Sequence, residues 1–196
     1  MTVKYARKTV GLLGGSFNPA HDGHRYVSLQ ALKLLKLDEV WWLVSPLNPL
    51  KEGRKDMASY ERRLGSAKNV ANHPKILVSG IETQLHTRYT IDTLKKLKEL
   101  YPDTNFVWLM GADNLADFHR WKSWREIMHT VPVAVFARNH YALKALYGKA
   151  GRTFRLYRTD SRFASRLARM RPPAWVFLPI REHPASSTAI RNQGLF

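Results

Sequence analysis

Two imidazoles three residues apart, His21 and His24, close the stretch Gly14-Gly15-Ser16-Phe17-Asn18-Pro19-Ala20-His21-Asp22-Gly23-His24, which follows the apolar run Thr9-Val10-Gly11-Leu12-Leu13. These residue types suit an anion, and a phosphate in particular. Gly14 and Gly15 bring backbone close to a ligand with no Cβ in the way. A helix starting nearby adds unpaired N–H groups and a partial positive charge. Two other glycine-rich readings fail on the residues themselves. No Gly-Lys-Ser/Thr closes a nucleoside-triphosphate loop, and Gly11, Gly14 and Gly15 do not spell the dinucleotide pattern G-x-G-x-x-G. What remains is an H-x-G-H turn. Its histidines have two competing uses, capping or packing the helix start and holding a metal as a pair. Zinc is poorly served, with no cysteine in the chain and no obvious third ligand close by.

A second anion-binding pattern lies near the other end. Ser186-Ser187-Thr188-Ala189-Ile190-Arg191 opens a short helical pattern with three hydroxyls, and Arg191 falls one helical turn beyond Ser187. Such hydroxyls cap free N–H groups or join them in binding phosphate, and a plain N-cap is the competing reading.

The elements that must position these groups alternate along the chain. Short apolar runs predict strands at Thr9–Leu13, Glu39–Ser45, Lys75–Ser79, Phe106–Met110, Val133–Ala137 and Trp175–Leu178. Helical patterns fall at Arg25–Leu37, Ser59–Asn72, Thr90–Leu100 and Ser123–His129. This alternation predicts an α/β fold with an open parallel sheet and helices on its faces. Ligands of such sheets sit at the carboxyl ends of the strands, where the first motif, Ser45–Lys51, Gly111–Asn114 and the final serines all fall. One domain, residues 1–196, accounts for the whole pattern, with no internal repeat or low-complexity linker.

Composition narrows the class. There is no apolar run of membrane-spanning length and no signal-peptide pattern, so a cytoplasmic protein without membrane contact is expected. The absence of cysteine rules out disulfides and thiolate catalysis. The net charge of +17 raises a rival reading, a nucleic-acid binder. Between Arg138 and Arg171 stand ten Lys or Arg against one acid, Asp160, and Arg162, Arg166 and Arg169 are expected to share a helical face. No stacking module accompanies the charge, so a solvated basic face serving anionic substrates is expected instead.

The H-x-G-H turn together with Ser186–Arg191 resembles the H-x-G-H nucleotidyltransferase superfamily. Two middle blocks point within it: Arg88-Tyr89-Thr90-Ile91-Asp92-Thr93-Leu94, and Phe106–Asn114 followed by Phe118-His119-Arg120-Trp121. With these the chain is similar, from about Val10 to Arg191, to the nicotinate-nucleotide adenylyltransferases. The resemblance implies a single Rossmann-like parallel sheet and transfer of AMP from ATP to nicotinate mononucleotide, giving deamido-NAD and pyrophosphate. Nicotinamide mononucleotide, or another phosphorylated acceptor such as phosphopantetheine, is the alternative within the same chemistry. Mg2+ is implied on the leaving phosphates, held by them and water rather than by protein ligands. A homo-oligomer is compatible with the sequence.

By the same resemblance His24 and His21 are the catalytic donors. Gly14, Gly15, Gly111, Asp113, Ser186, Ser187, Thr188 and Arg191 bind ATP, Asp113 through the ribose unless it only caps a helix. Ser16, Phe17, Lys51, Tyr89, Thr90 and Trp121 take the mononucleotide, with Thr90 and Trp121 forming the nicotinate pocket. Trp108 and Trp124 are read as core, and Arg138 as a further phosphate contact. Three departures stand out. Asn18 replaces an aspartate common in relatives and is expected to keep the side-chain geometry. Ala185 replaces an isoleucine. Relatives commonly continue in a further helical segment, whereas the sequence stops at Phe196, soon after Arg191.

Overall fold

The computed structural model describes residues 7–46, 56–137, 142–181, 183–194 and 196. In chain order the regular elements begin with β1 (Lys8–Gly15), α1 (Asp22–Leu34), β2 (Glu39–Val44), α2 (Tyr60–Ala71), β3 (Ile76–Ser79), α3 (Ile81–Gln84), α4 (Thr90–Leu100) and β4 (Thr104–Gly111). After them come α5 (Ala112–Asp117), α6 (Trp124–Thr130), β5 (Val133–Ala137), α7 (Ala142–Tyr147), α8 (Lys149–Thr153), β6 (Arg158–Thr159), β7 (Trp175–Pro179) and α9 (Ser187–Asn192). Short 3-10 helices cover Phe118–Arg120, Arg155–Tyr157 and Ser161–Arg169.

The strands form one sheet in the order β3-β2-β1-β4-β5-β7-β6, with every pairing parallel. A parallel sheet must be covered on both faces, and the sequence supplies this by alternation. Phe106, Trp108 and Met110 of β4 pack on one face with Val10 and Leu12 of β1, under Ile91, Leu94 and Leu97 of α4 and Trp124, Ile127 and Met128 of α6. Val107 and Leu109 turn to the other face, under Ala31 and Leu35 near α1, Ala67 and Ala71 of α2, and Ala164, Leu167 and Ala168. Trp108 and Trp124 are core residues, as expected. Among the described residues no helix is long and apolar enough to cross a membrane.

Every expected strand is present within two residues of its expected ends, and the structure adds one, β6. That edge strand is only Arg158-Thr159, too short and too polar for an apolar run to betray it. Two expectations need correction. The helix expected over Arg25–Leu37 begins at Asp22, because an imidazole rather than a hydroxyl or carboxylate caps it, and ends at Leu34, where Lys36 at φ 51° turns the chain left-handed. The shared face of Arg162, Arg166 and Arg169 is not formed. Ser161–Arg169 is a 3-10 helix, in which residues three apart eclipse, so Arg166 and Arg169 align with Phe163 while Arg162 leaves that row and pairs with Asp160 at 3.0 Å.

Candidate active site

Gly14 and Gly15 are the last two residues of β1, so the turn proper runs from Ser16 to His21. Gly14 has no room for a side chain, since a Cβ there would run into the six-membered ring of Trp108 on the neighbouring strand. His21 is the N-cap of α1. The Gly23 N–H donates to its Nδ1 at 3.1 Å, and the His21 N–H donates to Nδ1 of His24 at 3.2 Å. The two imidazoles thus form a reciprocal capping box of the kind usually built from Ser or Thr with Glu or Gln. Their ring centroids lie 3.9 Å apart. Because each Nδ1 accepts, the hydrogen of each neutral ring sits on Nε2. The cap thus uses only the Nδ1 edge of each ring. The glycine between them is fixed by this cap, since a Cβ on Gly23 would meet the His21 ring at 2.8 Å.

Phe17 adopts φ 48°, a left-handed conformation that a bulky residue holds only under constraint. Its ring is clamped between Trp42, stacked at 5.0 Å, and His24 at 4.9 Å. Ser16 is buried, and its Oγ finds no protein partner among the described residues.

The far end of the chain folds back onto this turn. Ser186 is the N-cap of α9 and accepts from the Ala189 N–H at 3.1 Å, so the capping reading of this serine holds. Ser187 Oγ donates to the Pro19 carbonyl at 2.9 Å, joining segments 168 residues apart. Arg191 donates through Nη1 to the Asn18 carbonyl, pairs through Nε with Asp56 at 3.0 Å, and reaches Thr188 Oγ1 at 3.4 Å. The arginine expected at phosphate is thus held by a carboxylate and a carbonyl of the turn.

The register of β1 and β4, with Leu13 opposite Leu109, brings Gly111 to the same end of the sheet as the turn. Gly111 is the N-cap of α5, and Asp113, exposed, lies in the first helical turn with its carboxylate folded back over Gly111. Its charge suits the positive start of the helix. The two middle blocks meet as well. Tyr89 is the N-cap of α4, and the N–H groups of Thr90 and Ile91 precede its first turn of bonds, which Asp92 and Thr93 make to the Tyr89 carbonyl. Trp121 is half-buried, edge-on to Phe118 at 5.2 Å and to Trp108 at 6.1 Å. Lys122 ties the blocks together, its Nζ 4.1 Å from the Tyr89 ring centroid and 3.8 Å from Asp92. Lys51 and Arg138 lie outside the described residues.

Three further residues organise this rim: Asn18, which the sequence marked only as a departure, and Arg63 and Glu82, which sequence reasoning passed over. Asn18 donates through Nδ2 to the Asp56 carbonyl at 2.8 Å and accepts the Ala58 N–H on Oδ1 at 3.0 Å. An ionised aspartate would supply only the second bond, so more than side-chain geometry is at stake. Arg63, 2% exposed, binds four main-chain carbonyls from two loops, the turn after β1 and the β2–α2 connection. Its signal was an arginine on the same i, i+4, i+8 row as Ala67 and Ala71, the buried row of α2. Glu82 is buried and accepts from Thr93 Oγ1 at 3.3 Å, with a further bond to Ser45; burial outweighs both bonds and raises its pKa to about 7.

An open parallel sheet with this turn at its carboxyl edge defines a nucleotidyltransferase-type α/β protein. The family model described as cytidylyltransferase-like matches residues 12–193. A probable nicotinate-nucleotide adenylyltransferase of Ruegeria sp. (strain TM1040) is 51% identical over 186 residues, 95% of this chain and 97% of that protein. One from Brucella suis biovar 1 is 49% identical over 184 residues, 94% of each. The nicotinic acid mononucleotide adenylyltransferase of Plasmodium falciparum, solved with NaAD, shares the fold with a TM-score of 0.69. It is 19% identical, over 94% of this chain and 83% of that one. The chain belongs to the cytidylyltransferase-like family and, within it, to the nicotinate-nucleotide adenylyltransferases.

Proposed function

We propose that the protein transfers AMP from MgATP to nicotinate mononucleotide, releasing pyrophosphate and forming deamido-NAD. The observation that carries this reading, beside the family, is the Ser187–Pro19 bond, which unites the two phosphate-binding patterns in one place.

The 5'-phosphate oxygen of the mononucleotide attacks the α-phosphorus of ATP. A new P–O bond forms as the bond to the β-phosphate oxygen breaks, and pyrophosphate departs with that electron pair. A phosphate monoester is largely a dianion near neutral pH, its second pKa being about 6, so no general base is required. The protein's task is alignment and stabilisation of charge. His24, with its hydrogen on Nε2, donates to the α-phosphate oxygens as the transition state forms, and His21 supports it. A donor of this type is worth about 3 kcal/mol of barrier. Mg2+ enters as part of the substrate MgATP, where it neutralises the leaving phosphates.

Ser16 and Phe17 receive the mononucleotide phosphate, and Asp113 the ribose of ATP. Arg191 reaches ATP phosphate by exchanging its bonds to Asp56 and Asn18. Trp121 offers a flat face to the pyridine ring, and the first N–H groups of α4 face its carboxylate. Lys122 favours the acid over the amide, because it adds a cation beside Tyr89 and Thr90.

The test is pyrophosphate release from MgATP with nicotinate mononucleotide, nicotinamide mononucleotide and phosphopantetheine offered separately at equal concentration. Release mainly with the nicotinate form is expected. Equal rates with the amide would remove the acid-specific role of the α4 start and Lys122, and release with phosphopantetheine alone would overturn the acceptor.

A further inference from the structure

Arg63 sits on the first turn of α2, beneath the turn that follows β1. Its Nη1 donates to the carbonyls of Ser16 and Ser45, both at 2.7 Å, Nη2 to Pro46 at 3.0 Å and Nε to Ala58 at 3.2 Å. These carbonyls belong to the exits of β1 and β2 and the entry to α2. A buried guanidinium ordinarily faces a carboxylate, because carbonyl dipoles solvate its charge without cancelling it. Among the described residues no carboxylate forms an ion pair with Arg63, and Glu61, the nearby acid on the same helix, is exposed and acts on it only through space. Burial pulls the arginine's pKa down, yet a guanidinium remains charged throughout the neutral range. The net result is a positive charge, offset only in part and from a distance by Glu61, held directly under Ser16. A second observation points the same way. Ser16 Oγ, on the residue whose carbonyl Arg63 grips, is a buried hydroxyl with no partner among the described residues.

We propose that Arg63 is the positioning residue of the phosphate turn and the buried counter-charge for the acceptor's phosphate dianion. This rests on the reading of Ser16 and Phe17 as the mononucleotide-phosphate site. Arg63 does not touch the phosphate. It acts through the Ser16 carbonyl, fixing the turn from below and making it electropositive before any anion arrives. Only a guanidinium meets four carbonyls at once, since the three donors of an ammonium on a single centre cannot span this fork. Loop anchoring alone would not call for a charge.

The experiment compares nicotinate mononucleotide with nicotinic acid riboside, the same molecule without its phosphate, by calorimetric titration into three proteins. Wild type is expected to prefer the mononucleotide strongly. Arg63→Met removes the charge while keeping a stem of similar reach, and should cut the mononucleotide-to-riboside affinity ratio at least tenfold. Arg63→Lys keeps the charge but loses the fork, and should hold the ratio within about threefold of wild type. Both variants should melt at lower temperature, which is the structural effect and is read separately. A folded Met variant with the wild-type ratio overturns the counter-charge. Should the Met protein not fold, the Lys variant decides, because a ratio lost in that protein would mean that charge alone is not what the phosphate feels. A wild type without preference for the mononucleotide would instead strike the phosphate-turn reading itself.

Discussion

The two ends of the same sheet are built to different rules. At the amino end, Thr9 donates through both N–H and Oγ1 to Asp38 Oδ2 at 2.8 Å, and the Asp38 N–H returns a bond to the Thr9 carbonyl at 3.0 Å. Lys8 pairs with Glu39 at 2.6 Å, and Trp41 Nε1 donates to the same carboxylate at 2.8 Å. Both carboxyls lie below their ordinary pKa, Asp38 through the Thr9 bonds, Glu39 because Lys8 and Trp41 outweigh its partial burial. At the carboxyl end the polar groups are held at a cost. Glu82 is pushed up to about 7, Arg63 is buried without a carboxylate, Ser16 Oγ has no partner among the described residues, and Phe17 holds a left-handed backbone. One end is satisfied and stabilises the fold. The other carries unspent polarity, as expected where a ligand completes the hydrogen bonding.

The largest effect that separates the ends is expected at His24. His24→Ala should lower turnover by about two to three orders of magnitude, in line with loss of a transition-state donor. The lost capping contact should cost only about 1 kcal/mol of stability. Steady-state kinetics beside a melting curve check both, and near-normal turnover in a folded variant would end His24's role in the chemistry.

Glu82 comes next. Its folded-state pKa lies above the ordinary 4.5, at about 7, so between these values folding takes up a proton. Stability from this group is greatest below about pH 4.5, falls as pH rises through about 7, and is flat above; the whole swing is on the order of 3 kcal/mol. Glu82→Gln keeps the shape and removes the titration. Denaturant midpoints at pH 5 and pH 8 should therefore converge in the variant relative to wild type, and parallel pH curves for the two proteins would show that Glu82 does not carry a raised pKa.

The contrast between the ends also explains what could be read in advance. The central strands were legible because both faces of a parallel sheet are buried, leaving continuous apolar runs such as Val133–Ala137. The short helices α3, α5, α7 and α8 were not, since four to six residues hold too little of a 3.6-residue period to register. The H-x-G-H and Ser186–Arg191 residues could be singled out because paired histidines are unusual in a turn and because three consecutive hydroxyls stand one helical turn before an arginine. Their contact through Ser187 and Pro19 spans 168 positions, which no local pattern encodes. Arg63 was hidden for the same reason. Its carbonyl partners stand up to 47 residues away, and main-chain acceptors leave no mark on residue type.

The smallest expected effect belongs to the satisfied end. Asp38 is exposed, so its charge is screened, and its value lies in the paired bonds to Thr9 rather than in electrostatics. Asp38→Asn keeps an acceptor for the Thr9 N–H but weakens both bonds, and should cost about 1 kcal/mol near neutral pH. The sign with pH is opposite to that of Glu82. A lowered pKa means that this contribution is present above the ordinary aspartate range, whose reference value is 3.8, and is lost as pH falls through the lower folded-state value. Wild type and variant should therefore approach one another in acid and separate by pH 7. Turnover should not change at all, because this pair lies at the opposite end of the strands from the candidate site. A fall in kcat without a fall in stability would mean that the two ends are coupled through β1, and the division of labour along the sheet would fail.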